Sequence, residues 1–436
     1  MSPVSSEPPG GSILVRTLLP AWMPAQRWFR SKSRALAGVS IEAWAPLDAS
    51  GTCVFAVVEA AYADGAERYA LPLVLKNPEE AERLPESARV GVVHTENGPR
   101  TWCDASREPA FHQALYALLS GEKRAELGGG VLSGNPASPN TLSGDPDAGR
   151  FAKLLSAEQS NTAFAYSSGH FAKLYRRLEA AVNPEPETLR FLREAGYGHV
   201  PAFVSSLEWK VEGREAVTVA LLQDWVSSRG DAWAYALEQL QAAGARGELP
   251  GALSAWAAAL GARVAGMHNA LGGADAASAF APEPLRPEDL ARLRAGSLES
   301  LRSTLASLED RLPRLGPETA ALAREILVAR PRLEARIEAG ALGSPGAVKI
   351  RTHGDLHLGQ ILVSSDDPER VWILDFEGEP GRPLADARRK HSPVRDAAGM
   401  MRSFHYACHI ALREPGLRAL AEGFAAALAG AFREAY

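Results

Sequence analysis

Thr352-His353-Gly354-Asp355-Leu356-His357-Leu358-Gly359-Gln360 is followed a short way on by Trp372-Ile373-Leu374-Asp375-Phe376-Glu377-Gly378-Glu379-Pro380. The first Asp sits in a loop, with a metal-capable amide five positions on in Gln360, and the second closes an apolar strand twenty positions on. That spacing suits phosphoryl transfer from a nucleotide, in which one carboxylate receives the acceptor hydroxyl proton and the other holds Mg²⁺ on the phosphates. Asp355 is therefore the candidate base. Gln360 and Asp375 are the candidate metal ligands, because Mg²⁺ is a hard cation that takes oxygen ligands and keeps several waters, with ATP phosphates completing its shell. ATP and Mg²⁺ are the expected cofactors.

Protein kinases write the same parts as H-R-D-x-x-x-x-N and D-F-G; here Gly354 stands for the Arg, Gln360 for the Asn, and Glu377 for the last Gly. His353 and His357, four apart, invite a zinc reading. They lack the helical Glu between them, and Gly354 opposes helix, so both are expected to hold the loop. Upstream, Lys173 lies among apolar residues in Gly169-His170-Phe171-Ala172-Lys173-Leu174-Tyr175. A buried Lys needs an anionic partner. In a kinase these are an ATP phosphate and a helical Glu, expected to be Glu187 just inside the helix that Pro184 opens, with Glu185 as the fallback.

Three segments carry a family resemblance: His353-to-Leu362, the run from Ile373 through Ala407, and Leu18-to-Arg34, with Trp22, Gln26, Arg27, Trp28 and Phe29 in the last. They resemble the bacterial maltokinases, relatives of the aminoglycoside phosphotransferases. The resemblance implies an α+β, protein-kinase-like bilobal fold with an extra N-terminal cap domain. It implies ATP-dependent phosphorylation of maltose at its anomeric hydroxyl, giving maltose 1-phosphate on the route from trehalose to glycogen or α-glucan. It also places Ser160, Asn161 and Thr162 in a turn that cradles the nucleotide phosphates, and Gln223 to Val226, Trp225 included, at a hinge facing adenine. The helix around Arg395–Tyr406 takes the place of the acceptor site, with Arg402 and Tyr406 as sugar contacts; Glu377 and Glu379 are further candidates for sugar hydroxyls or the metal shell. On that helix Asp396, Gly399 or Met400, Ser403 and Tyr406 or Ala407 share one face, a stripe expected to mix pocket and packing. The family's C-terminal Lys-x-x-Tyr feature has no counterpart in Phe432–Tyr436, so glucosamine, another amino sugar or an aminoglycoside stands as the alternative acceptor.

The chain has 436 residues, 46% hydrophobic and 23% charged, as in globular proteins, and no apolar run approaches the ~18 residues of a membrane span. A net charge of -5 argues against a general nucleic-acid binder. Cys53, Cys103 and Cys408 have no C-x-x-C spacing and read as free thiols. Without a basic region and apolar core at its start the chain reads as cytoplasmic. The expected organisation is a disordered tail over 1–12, a cap over 13–130, a flexible Gly/Ser/Pro loop over 131–150, a kinase N-lobe with hinge over 151–226, and a mainly helical C-lobe over 227–436. A kinase-like protein that binds nucleotide without turnover is the rival from another class; retention of Asp355, Asp375 and Lys173 opposes it. A complex with a trehalose-metabolising enzyme is a further expectation, the cap being a surface on which one could dock.

Overall fold

The computed structural model describes residues 8–138, 149, 152–155, 160–273, 279–340, 346–379 and 382–436. It is an α+β chain whose contacts divide it into two units, one of 1–267, 353–389 and 396–436, the other of 268–352 and 390–395.

The first unit begins with short helical turns, Gly11–Ile13 (α1) and Leu19–Trp22 (α2). Residues 8–12, expected in a tail, are ordered, and the Trp102 indole donates to the Pro9 carbonyl at 3.0 Å. An antiparallel sheet follows, from Leu36–Pro46 (β1), Cys53–Tyr62 (β2), Gly65–Lys76 (β3), Arg89–Thr95 (β4) and Gly98–Asp104 (β5), in the order β1-β2-β3-β5-β4, with Pro78–Glu82 (α3) between β3 and β4. The near-continuous burial of β2 is that of a central strand covered on both faces. Trp22, Trp28, Phe29, Tyr69 and Trp102 fill the core beneath it, Phe29 stacking on Tyr69 at 5.2 Å. The aromatic opening motif is thus packing.

A second antiparallel sheet joins Arg124–Leu127 (β6), Gly130–Pro136 (β7), Ala152–Leu155 (β8), Asn161–Tyr166 (β9), His170–Tyr175 (β10), Phe203–Val211 (β12) and Val217–Asp224 (β13), in the order β6-β7-β12-β13-β10-β9-β8. Here the expected boundaries move. Residues 109–136 go with this sheet: Pro109–Leu119 (α4) packs on it, through Phe111 against Phe164 and Tyr116 against Tyr166, and β6 and β7 are two of its strands. The last of the first sheet's five consecutive strands thus ends at Asp104, and 131–136 are strand; much of the loop expected over 131–150 lies outside the described residues. Between β10 and Pro184–Glu194 (α5), Arg177–Leu178 (β11) pairs with β3, so one chain segment runs from the second sheet into the first.

The rest of this unit is a small sheet, Ser228–Asp231 (β14), Ile361–Ser364 (β17) and Val371–Ile373 (β18), with helices Ala232–Arg246 (α6), Gly251–Gly272 (α7, whose last residues enter the second unit), Leu384–Ala387 (α11), Val394–Ala411 (α12) and Arg418–Ala435 (α13). Trp256, Phe404 and Phe432 pack edge to face at their centre. The second unit holds Pro287–Arg311 (α8), Pro317–Val328 (α9), Arg330–Glu338 (α10) and the strand pair Glu283–Pro284 (β15) with Val348–Lys349 (β16). The C-terminal region expected as one lobe is thus divided. All three cysteines are buried and free, and no described helix is long and apolar enough to cross a membrane.

Candidate active site

Asp355 and Asp375 sit at the ends of two loops that one histidine holds together. The His353 ring, buried against Phe376 at 4.9 Å, donates through Nε2 to the Leu374 carbonyl at 2.7 Å, while its Nδ1 accepts from the Asp355 amide at 3.3 Å. Those bonds require the neutral ring with the proton on Nε2. The His357 Nδ1 accepts from the Gly359 amide at 3.0 Å and starts the short helical turn that carries Gln360. Both histidines are tied to backbone, as their reading as loop holders expects.

The loop that carries Asp355 hangs from α12. The buried Asp396 carboxylate accepts from the amides of His353 at 2.7 Å and Gly354 at 3.0 Å, and the Ser403 hydroxyl accepts from the Leu358 amide at 3.1 Å. Between them Gly399 lets the helix approach so closely that a Cβ there would stand 2.5 Å from the Leu356 carbonyl oxygen. Gly354 takes a φ of 87°, a left-handed conformation that only glycine adopts without cost. The Asp396, Gly399, Ser403 stripe was legible as one helix face. That it holds the loop of Asp355 was not. The Asp355 carboxylate itself accepts no hydrogen bond among the described residues.

Three carboxylates converge on one ammonium. Lys173 Nζ lies 3.0 Å from Glu185 Oε2, 2.7 Å from Asp375 Oδ1 and 2.5 Å from Glu377 Oε1. The Asn161 amide adds a 2.7 Å bond to Glu377, and the Gln360 amide nitrogen lies 3.1 Å from Asp375 Oδ2. Asp375, with a φ of 64°, is the one described residue other than glycine in the left-handed region, a conformation that short polar side chains tolerate. Burial pushes the Glu185 carboxyl up, against the pull of Lys173. Asp375 goes the other way: burial raises it, but the Lys173 charge and the hydrogen bonds from Lys173 and Gln360 carry it below the usual range. One oxygen from each of Glu185, Asp375 and Glu377 lies within 4.8 Å of the others. Three acids around a single cation leave a deficit of positive charge, and their hard oxygens fit Mg²⁺.

Other expected placements change. Glu187 does not meet Lys173: both its oxygens take the Arg388 guanidinium, at 2.8 and 3.0 Å, and Glu185 takes the lysine. The Asn183 side chain caps α5 by accepting from the Glu185 amide, and a residue two positions on lies about 200° round the helix, so the two acids face apart. Glu185→Gln is accordingly expected to weaken Mg-ATP binding and turnover together, and Glu187→Gln to change neither by more than about twofold; initial rates at varied ATP concentration separate them. Arg388, Arg389 and Lys390, the basic run, are paired with Glu187, Asp386 and Glu283.

Thr162 also turns away from Lys173 and Glu377. Side chains alternate along β9, so Asn161 meets Glu377 while the buried Thr162 hydroxyl accepts from Arg176 at 2.7 Å. Ser160 is half-buried at the start of that strand; the turn over 156–159 lies outside the described residues. At the expected hinge, Gln223 is inside the ladder, between Phe171 and Phe203, and the Trp225 amide donates to the Gly169 carbonyl at 2.8 Å. Those bonds occupy the Trp225 N–H and leave Val226, within the same expected stretch, as the hinge amide without a partner among the described residues. Glu379 is exposed and paired with Arg382 at 2.7 Å. Arg402 and Tyr406 are exposed and bond each other at 2.7 Å.

Residues 22–107 match the maltokinase N-terminal cap domain. Over 306 residues the chain is 26% identical to a glucosamine kinase of Mycolicibacterium smegmatis, covering 67% of this chain and 71% of that protein. A glucosamine kinase of Streptacidiphilus jiangxiensis is 28% identical over 262 residues, 58% of this chain and 54% of its own length. Among solved structures, a glucosamine kinase in complex with glucosamine, ADP and inorganic phosphate superposes with a TM-score of 0.64 at 23% identity, covering all of this chain and 87% of that one. That fold is shared from end to end, and the cap match begins where the aromatic motif does. Residues 22–107 thus match a maltokinase N-terminal cap domain, and the chain as a whole has the fold of a glucosamine kinase.

Proposed function

We propose that the chain transfers the terminal phosphoryl group of ATP to a sugar hydroxyl, with glucosamine as the preferred acceptor. The observation that supports the reaction class is the junction of two motifs at His353, whose ring bonds both the Asp355 amide and the carbonyl of Leu374, next to the Asp375 that pairs with Lys173. Phosphoryl transfer has a loose transition state, so positioning and charge neutralisation account for most of the rate. Asp355 orients the acceptor hydroxyl and takes its proton. Lys173 is the cation for the nucleotide phosphates, kept in place by Glu185 from behind.

Asp375, with Gln360 and Glu377 beside it, would hold Mg²⁺. The ion would neutralise phosphate charge during transfer. Val226 offers the hinge N–H to the adenine, and Asn161 steadies Glu377.

The acceptor reading is supported by the two curated relatives and by the structural likeness, all of them glucosamine kinases. Maltose is the second reading, favoured by the cap match at 22–107; its product would be maltose 1-phosphate, on the trehalose-to-glucan route. ATP consumption with a panel of glucosamine, glucose, maltose and an aminoglycoside tests both. Glucosamine is expected to give the highest kcat/KM, and a maltose product without a reducing end, in the absence of glucosamine turnover, would exchange the two readings.

A further inference from the structure

We propose that Arg176 is a positioning residue for the nucleotide site, through which the cap domain sets the affinity for Mg-ATP. The inference rests on the nucleotide reading given above.

Arg176 is 1% exposed and lies at the point where one chain segment leaves the second sheet for the first. A guanidinium with five donors is costly to bury unless nearly all are used. The cap supplies three acceptors and a ring: Asp104 accepts at 2.9 Å, the Ser106 hydroxyl and the Ala70 carbonyl accept as well, and the Trp28 ring lies 5.2 Å from the guanidinium carbon. All four residues fall inside 22–107, the matched cap. The remaining side of the fork, Nε, donates to Thr162 in β9 at 2.7 Å.

Thr162 is next to Asn161, and the register of β9 against β10 sets Asn161 opposite Tyr175 and Ala163 opposite Lys173. The face that carries Asn161 therefore carries Lys173, both bonded to Glu377 Oε1. The opposite face carries Thr162 and Leu174. Fixing Thr162 from behind fixes the strand that presents Asn161 to the acid cluster. Arg176, three residues after Lys173, stands on the same continuous segment, so the cap grips both strands of the nucleotide site at one point.

Thr162→Val removes the acceptor and keeps the shape. Isothermal titration of the full chain with Mg-ATP is expected to show affinity lowered about tenfold, the lower end of the value of a hydrogen bond to a charged group. Thr162→Ser restores it, and the KM for the sugar does not move, a split that a general loss of fold would not produce. Asp104→Asn lowers nucleotide affinity in the same direction, and its effect does not add to that of Thr162→Val, since both act through one guanidinium.

Unaltered Mg-ATP affinity in Thr162→Val, additive effects in the double variant, or no recovery with Thr162→Ser overturns the inference. Arg176→Met is expected to unfold more readily, because it leaves Asp104 buried without its counter-charge, so the threonine variants carry the test. A wild-type chain that does not bind Mg-ATP overturns the nucleotide reading itself and this inference with it; a wild type that binds, with variants that bind equally well, overturns this inference alone.

Discussion

Asp355→Asn is expected to lower turnover by a factor of about 10²–10⁴, the usual range for a positioned proton acceptor, while the affinity for Mg-ATP stays within about twofold of the unaltered chain. The asymmetry follows from where the carboxylate stands. Its backbone amide is held by His353, and its side chain bonds to no other described residue, so the substitution disturbs neither the loop nor the lysine cluster. Asparagine keeps the size and loses the basic oxygen. Turnover from initial rates and nucleotide affinity from titration are both required. Near-normal turnover in the variant would mean that another group takes the proton.

The second large effect is expected at the cluster, where Asp375→Asn and Lys173→Met should both abolish productive Mg-ATP binding and yet differ in stability. Asparagine at 375 tolerates the left-handed backbone and still leaves Lys173 paired with Glu185 and Glu377, so the fold persists while a metal ligand is lost. Methionine at 173 leaves Glu185, 3% exposed, without its cation. Breaking such a buried pair costs about 3–5 kcal/mol. Chemical denaturation beside Mg-ATP titration distinguishes the two. An Asp375→Asn chain that still binds Mg-ATP normally removes Asp375 from the metal site, and a Lys173→Met chain as stable as the unaltered one contradicts the burial argument.

The corrected partner of Lys173 shows where reading a single sequence stops. Two acids two residues apart, Glu185 and Glu187, are equally suited by composition, and both lie in the first turn of α5. Which one faces the lysine depends on the rotation of the helix about its axis, set here by the Asn183 cap and by Arg388 arriving from two hundred residues away. The same holds for Thr162. Strand alternation alone says that Asn161 and Thr162 face opposite sides, but which of them shares a face with Lys173 depends on the pairing of β9 with β10.

The parts of this protein that its sequence determined by itself are those whose chemistry is local. Asp355 with Gln360, and Asp375 with Glu377, are each close in the chain, and glycine at 354 and apolar residues before Asp375 dictate loop and strand directly. The aromatic motif at 22–29 and the apolar runs of the strands likewise announced a packed cap and an α+β chain. Tertiary structure decided everything that closes over long separations: the hand of Asp396 on the loop that carries Asp355, the burial of Arg176 between cap and lobe, the partner of Lys173, and the sheet to which residues 109–136 belong. Burial is the physical reason. A buried charge must find its counter-charge wherever the fold brings one, and a sequence shows which residues carry charge but not which of them share the same interior.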